Sequence, residues 1–208
     1  DAEGTKILRA VATDGHRLAR VEAPLPEGAE NMPGVIVPRK TVGELRKLIE
    51  ETGEAVDIAL SDTKIRFGFG KAVLTSKLID GTFPDYERVI PSGNDKTLDI
   101  DCKAFANAVD RVSAISIEKS RAVKVVMSGN TLTLSASSPE HGTATEELEI
   151  NYDADDIEIG FNSRYLLDIA KQVKGDTVNL LMSDGSSPTI LRDTDDLSAL
   201  YVLMPMRV

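Results

Sequence analysis

Asp14-Gly15-His16-Arg17 is the one place in the chain where an acid, a histidine and an arginine crowd together. Oriented by Asp14, His16 can act as a general base, which would make the segment the heart of a hydrolase. The same residues also read as a turn, because Asp-Gly between two strands is a strong hairpin signal in which glycine takes a positive φ. The turn reading is preferred, since no nucleophile motif, glycine-rich phosphate loop or paired-carboxylate pattern accompanies it. His141 lies in a different setting, Pro139-Glu140-His141-Gly142, and reads as a surface histidine. The second unusual segment is the C-terminus, Tyr201 to Val208, apolar almost to its last residue where chain ends are usually polar and frayed. Pro205 prevents regular strand pairing there, and the flexible side chains of Met204 and Met206 suit a groove that accepts several partners.

Composition narrows the function classes. The 208 residues are 41% hydrophobic and 28% charged, ordinary for a folded chain of one to two domains. A formal charge of −10 repels nucleic acid and anionic membranes on average, which excludes a binder that is basic over its whole surface. One cysteine, Cys102, allows no internal disulfide, and with two histidines it cannot build a zinc site of the usual type. No metal or cofactor is expected, and the reducing cytoplasm is the expected compartment.

The elements that must position these residues follow from periodicity. Short alternating, β-branched runs predict antiparallel strands near Lys6 to Thr13, His16 to Ala23, Val35 to Pro38, Ala55 to Ser61, Lys64 to Gly70, Ala72 to Ile79 and Thr97 to Asp101. Others follow near Ala122 to Ser128, Thr131 to Ser137, Thr143 to Tyr152, Ile157 to Phe161, Thr177 to Ser183, Pro188 to Arg192 and Ala199 to Met204. Helical spacing marks Val42 to Ile49, Phe105 to Ile115 and Leu166 to Val173. Thr41 and Ser163 are the expected N-caps, with Gly53 and Gly175 as stops. The polar stretch Pro91 to Lys96 has turn chemistry and no apolar anchor, and reads as a boundary between domains.

An internal repeat organises the chain. Val35 aligns with Ile157, and without a gap Thr41 meets Ser163, Leu45 meets Leu167, Gly53 meets Gly175, Val56 meets Val178 and Ser61-Asp62 meets Ser183-Asp184. Lys6 to Thr13 lies over the strand that starts at Thr131, and the implied unit is about 120 residues. By this arithmetic the first copy should begin before Asp1, and a helix matching Lys103 to Ser116 is expected ahead of the given sequence.

Charge is segregated. Residues 39–52, 102–121 and 162–175 carry eleven Lys and Arg against six Asp and Glu, leaving a net charge of −15 on the remainder. Such helices can face a polyanion while the rest faces solvent, although Lys and Arg are also simply good helix formers. No aromatic is interleaved with these cations and no groove-reading motif is present, so any DNA contact should be to phosphates and independent of sequence.

Four long motifs in order, Ala12-Thr-Asp-Gly-His-Arg-Leu18, Val35-Ile-Val-Pro-Arg-Lys40, Thr75-Ser-Lys-Leu-Ile-Asp-Gly-Thr-Phe-Pro-Asp-Tyr86 and Met204-Pro-Met-Arg207, resemble the bacterial DNA polymerase III β subunit, the sliding clamp family. The resemblance covers essentially the whole chain. It implies an α+β DNA clamp fold of repeated domains, with antiparallel sheets outside and helices lining the DNA-facing side. Residues 1–92 would be most of a middle domain and 93–208 a complete third domain. The implied function is that of a non-enzymatic processivity factor: a homodimeric ring that encircles duplex DNA and tethers the replicative polymerase, the clamp loader, translesion polymerases and mismatch-repair proteins. A structural β-rich scaffold without a peptide pocket, or less favourably a hydrolase using Asp14 and His16, are the alternatives.

Carried onto this sequence, the family's peptide pocket comprises Thr13, Gly15, His16, Arg17, Leu18, Pro84, Arg88, Val89, Val202, Leu203, Met204, Pro205, Met206 and Arg207. The apolar members offer depth and Arg17, Arg88 and His16 offer orientation. The DNA-facing cations are Arg39, Lys40, Arg46, Lys47, Lys103, Arg111, Arg164, Lys171 and Lys174. The dimer contact corresponds to Ala114, Ile115, Glu146, Glu147 and Glu149. Lacking a first domain, the chain is expected to be monomeric or only weakly associated and not to retain DNA.

Overall fold

A computed structural model describes residues 6–50, 55–116 and 121–208. The expected stop at Gly53, and the charged residues Glu51, Glu118 and Lys119, lie outside them. By packing, the chain divides into two units: Glu27–Tyr86, and Asp1–Pro26 together with Glu87–Val208. Among the described residues no helix is long and apolar enough to cross a membrane.

The larger unit begins with the hairpin that Asp-Gly predicts. Strand β1 (Ile7–Thr13) pairs antiparallel with β2 (Arg17–Pro24), and Gly15 takes φ +85° between them. In the smaller unit, α1 (Arg39–Glu50) precedes β3 (Asp57–Leu60), β4 (Lys64–Phe69) and β5 (Ala72–Lys77), which pair in that order. Alternation in β4 buries Ile65, Phe67 and Phe69, against which Leu45 and Leu48 of α1 pack.

Two expectations fail in this unit. Val35 to Pro38 is not a strand: the Ile79 N–H donates to the Ile36 carbonyl at 2.9 Å, but prolines at 33 and 38 remove the donors a ladder would need. Thr41 is not the cap either. The helix starts directly after Pro38, whose carbonyl accepts the Val42 N–H, and the buried Thr41 hydroxyl bonds Ser76 at 2.7 Å.

The rest of the larger unit runs β6 (Lys96–Asp101), α2 (Cys102–Ser113), β7 (Ala122–Ser128), β8 (Thr131–Ser138), β9 (Gly142–Glu149), β10 (Ile157–Asn162), α3 (Ser163–Ala170), β11 (Thr177–Met182), β12 (Thr189–Asp193) and β13 (Ala199–Leu203). Its strands form one six-stranded sheet, β1-β2-β13-β12-β11-β6, and one four-stranded sheet, β10-β7-β8-β9, all antiparallel. A single core joins both sheets to α2 and α3, with Leu98, Phe105, Met127, Leu134, Phe161 and Leu180 among its most buried side chains. Each contributes about 1.5–3 kcal/mol relative to exposure. Helix α2 buries Phe105, Ala108, Val109 and Val112, one helical stripe, and Asp101 caps it by accepting the Ala104 N–H at 2.6 Å.

Helix α3 is capped by Asn162 rather than by Ser163, and the reason is local. Asn162 ends β10 in extended geometry, the backbone an N-cap needs, so the chain turns from strand to helix without a spacer. The stretch Pro91 to Lys96 does have an anchor, a polar one: the Asn94 side chain donates to the carbonyls of Leu181 and Pro188 at 2.8 and 3.0 Å. Packing also groups the first hairpin with residues 87–208, because β2 pairs with β13 over five residues. The repeat survives in three dimensions: moving β1 and β2 along by 125 residues lands on β8 and β9 within one residue at each end.

One turn makes a direct prediction. The Asp184 carboxylate accepts the Ser186 N–H at 2.7 Å and the Ser186 and Ser187 hydroxyls at 2.8 Å, which lowers its pKa to about 2. These bonds favour the ionised form, so their contribution is complete above the ordinary carboxyl value and is lost as pH falls through about 2. An NMR titration is expected to place the Asp184 midpoint near 2; a midpoint near the ordinary aspartate value of 3.8 would show that the turn is not formed.

Candidate functional site

The hairpin turn and the C-terminal segment meet at one end of the larger unit. The turn is held by its own side chains. Thr13 Oγ1 accepts the Gly15 N–H at 3.2 Å and donates to the Arg17 carbonyl at 2.9 Å, and Asp14 Oδ1 accepts the N–H groups of His16 and Arg17, each at 3.0 Å. Asp14 Oδ2 accepts from Arg17 Nε at 3.1 Å. Partial burial pushes the Asp14 carboxyl up, but the bonds from the His16 N–H and from Arg17 outweigh it and hold the group below its ordinary pKa.

Asp14 therefore organises the turn's backbone and the Arg17 guanidinium. The His16 ring stacks on Tyr165 of α3 with centroids 6.5 Å apart. Arg17 lies over the same ring, its Cζ 4.2 Å from the centroid, and donates from Nη1 to Asp168 Oδ2 at 2.8 Å. Its burial is outweighed by Asp168 and Asp14, which raise its pKa and fix its charge. Tyr165 and Asp168, one helical turn apart on α3, are site residues that sequence reading missed. They are about 150 positions from Arg17 in the chain, and no local pattern announces a cation–π partner at that distance.

The C-terminal segment crosses between the two sheets. Leu203, the last residue of β13, pairs with Arg17, and the Met204 N–H donates to the His16 carbonyl at 3.0 Å. Past Pro205, the Met206 N–H donates to the Gly160 carbonyl of β10 at 2.8 Å. Gly160 is required by this approach: a Cβ there would stand 2.5 Å from the Met206 carbonyl oxygen and 2.5 Å from Val208 Cγ1. The segment is thus strapped at both ends, with Met204, Pro205 and Met206 half-buried between the straps and Arg207 exposed.

Not every expected pocket residue lies on this surface. Leu18 is 3% exposed, and Val202 and Leu203 are 0% exposed, so they support the surface from beneath and cannot touch a ligand directly. Val89 is partly exposed and belongs to the 3-10 turn Tyr86–Val89 with Arg88. Pro84 is exposed and belongs to the smaller unit.

The expected DNA-facing cations are all exposed. Arg39, Lys40, Arg46 and Lys47 lie on α1, where Arg46 pairs with Glu50 and Lys47 with Glu44. In the larger unit, Lys103 and Lys171 line a cleft of about 580 Å3 between α2 and α3, and Arg164 and Lys171 line a neighbouring one of about 450 Å3. Lys174 stands exposed just beyond α3. Arg111 differs from the others: its guanidinium is gripped by both oxygens of Glu146 on β9. An expected DNA contact and an expected dimer contact are thereby joined to each other. Of the other dimer residues, Ala114 is exposed at the end of α2, Ile115 packs against the core, and Glu147 and Glu149 lie on β9, which is an edge strand.

Comparison with known proteins gives a consistent result. Residues 2–85 match the family model described as DNA polymerase III beta subunit, central domain, and residues 87–207 match that of its C-terminal domain. The chain is 55% identical over 205 residues to the beta sliding clamp of Caulobacter vibrioides and 39% identical over 208 residues to that of Escherichia coli. Those alignments take in 99% and 100% of this chain but 55% and 56% of the relatives. Among solved structures, the sliding clamp of Bartonella birtlesii bound to griselimycin is similar with a TM-score of 0.94 at 53% identity, over 98% of this chain and 55% of that one. The Caulobacter crescentus pol III beta structure is similar with a TM-score of 0.93 at 54% identity, over 99% of this chain and 55% of that one. The chain spans about half the length of the curated relatives it matches.

Proposed function

Because the chain belongs to the DNA polymerase III beta subunit family, we propose that it forms the peptide-binding half of a non-catalytic sliding clamp. In this reading the complete protein closes as a homodimeric ring around duplex DNA in the cytoplasm. It contacts phosphates through its helix cations without reading bases, and topology rather than affinity keeps it on DNA. The replicative polymerase, the clamp loader, translesion polymerases and mismatch-repair proteins attach through short peptides.

The observation that carries the proposal is the strapped C-terminal segment beside the His16, Arg17 and Tyr165 stack. It presents flexible methionines next to an oriented cation, the combination of adaptable apolar contact and fixed polar direction that linear peptides exploit. Thr13 and Gly15 shape the turn, and Arg88 and Val89 complete the pocket in this reading. The dimer contact has support of its own. Strand β9 is the repeat equivalent of β2, and β2 pairs with β13, so an open β9 edge is suited to an equivalent strand of another subunit.

Arg17 supplies the test. Replacing it with alanine removes the ion pairs with Asp14 and Asp168 and the cation over Tyr165. A labelled peptide carrying glutamine followed by hydrophobic residues is expected to bind Arg17→Ala roughly tenfold more weakly in fluorescence polarisation. The folded state should lose only about 1 kcal/mol, because the side chain is partly exposed. Equal affinity for the two proteins would remove Arg17 from the pocket.

A further inference from the structure

The cleft of about 450 Å3 between α2 and α3 is lined by Arg121, Arg164 and Lys171, with Asp110 and Asp168 as its carboxylates. Among the described residues none of the three cations makes an ion pair. Arg121 is also, among the described residues, the one residue other than glycine with a positive φ, +45°. Its carbonyl accepts the Ser163 N–H at 2.8 Å, which ties it to the first residue of α3. An arginine stays in the left-handed region only where its surroundings impose it, and such residues concentrate at ligand sites.

Asp168 belongs to two places at once. It stands four residues after Arg164 and three before Lys171, the two spacings at which opposite charges on a helix meet. Yet it is joined to neither. Its Oδ2 accepts from Arg17 Nη1 at 2.8 Å, across 151 positions of the chain. One carboxylate thus lines the cleft and holds the guanidinium that lies over Tyr165. Arg164 and Lys171 are its competing partners by helical position, and any pairing with them loosens Arg17.

We infer that this cleft takes a phosphate of a nucleic-acid backbone and that its occupation tightens the peptide site through Asp168; the inference rests on the peptide reading given above. A phosphate held by Arg121, Arg164 and Lys171 withdraws the two helix cations from Asp168. Its own charge repels the Asp168 carboxylate in the same sense, toward Arg17. The guanidinium is then fixed before a peptide arrives, so binding has less disorder to offset. By linkage, a bound peptide favours phosphate in the cleft by the same factor. Partner peptides are therefore held most firmly by a chain in contact with nucleic acid.

The competing explanation is three solvated surface cations with no common ligand. The experiment measures the affinity of a labelled glutamine-then-hydrophobic peptide by fluorescence polarisation under three conditions. These are sodium chloride, inorganic phosphate at matched ionic strength, and chloride with a short unlabelled DNA duplex. The parent chain is expected to bind roughly threefold more tightly with duplex than in chloride alone, and to respond to phosphate in the same direction. Arg121→Gly, which suits a left-handed backbone, and Arg164→Gln should lose this enhancement. Asp168→Asn should lose it as well, although its cleft cations are intact. Arg164→Gln carries a further signature: with one competitor for Asp168 gone, it should bind the peptide in chloride more tightly than the parent does. No enhancement by duplex or phosphate, or one that survives Asp168→Asn, would overturn the inference while leaving the peptide pocket intact. Enhancement by inorganic phosphate alone would overturn the nucleic-acid backbone as its source. Failure of the peptide to bind under every condition would overturn the pocket reading and this inference with it.

Discussion

Replacing Gly160 with alanine is expected to cast off the C-terminal segment while leaving the fold in place. The new Cβ would stand 2.5 Å from a backbone oxygen, that of Met206, and 2.5 Å from Val208 Cγ1. A backbone carbonyl cannot rotate away as a long side chain can, so the bond from the Met206 N–H to the Gly160 carbonyl must break. The other edge of β10 is untouched, because Gly160 keeps its register with Lys124 of β7. The loss in folding stability should be about one hydrogen bond, about 1 kcal/mol. Peptide affinity should fall far more, by roughly tenfold or greater, since Met204, Pro205 and Met206 would no longer be positioned. Fluorescence polarisation and a thermal melt read the two effects separately. An unchanged affinity with an unchanged melt would mean that the segment accommodates the methyl group and that its strap is not needed.

The largest stability effect belongs to Asp193, which is 3% exposed on β12. Its carboxylate accepts three backbone N–H groups, those of Lys174 at 2.8 Å, Gly175 at 3.0 Å and Asp195 at 2.9 Å, and so fixes the connection between α3 and β11. The Gly175 N–H is the foremost cause of its lowered pKa. In Asp193→Ala these donors lose their acceptor, at a cost of about 3 kcal/mol. For a chain of this size the midpoint of thermal unfolding should drop by about 10 °C. The pH dependence has a definite sign: a lowered folded-state pKa means that the contribution is present above the ordinary carboxyl value and lost as pH falls through the folded one. A melt within 2 °C of the parent at neutral pH, about the shift of a surface substitution, would refute the role given to Asp193.

Much of the fold was legible because its signals are local. Asp-Gly with a positive-φ glycine predicted the first hairpin, and the stripe Phe105, Val109 and Val112 predicted the buried face of α2. The 125-residue offset between Lys6 and Thr131 anticipated that β1 and β2 would correspond to β8 and β9. Misreadings came where one element continues directly into the next. Asn162 displaces Ser163 as the cap because the strand's last residue already has the needed backbone, and Pro38 starts α1 where a strand and a threonine cap were expected. The candidate site was legible only in part. Its motif residues could be named from sequence, but that Val202 and Leu203 lie beneath the surface, and that Tyr165 and Asp168 hold Arg17, depends on pairing across about 150 residues.

The central claim, that the C-terminal segment forms a peptide-binding surface with the hairpin, is tested most directly by titrating a labelled glutamine-then-hydrophobic peptide with the chain and with a variant lacking Met204 to Val208. Saturable binding to the chain and its loss in the shortened variant, both folded by circular dichroism, is the predicted result. Equal binding to the two, or none to the folded chain, would contradict the account.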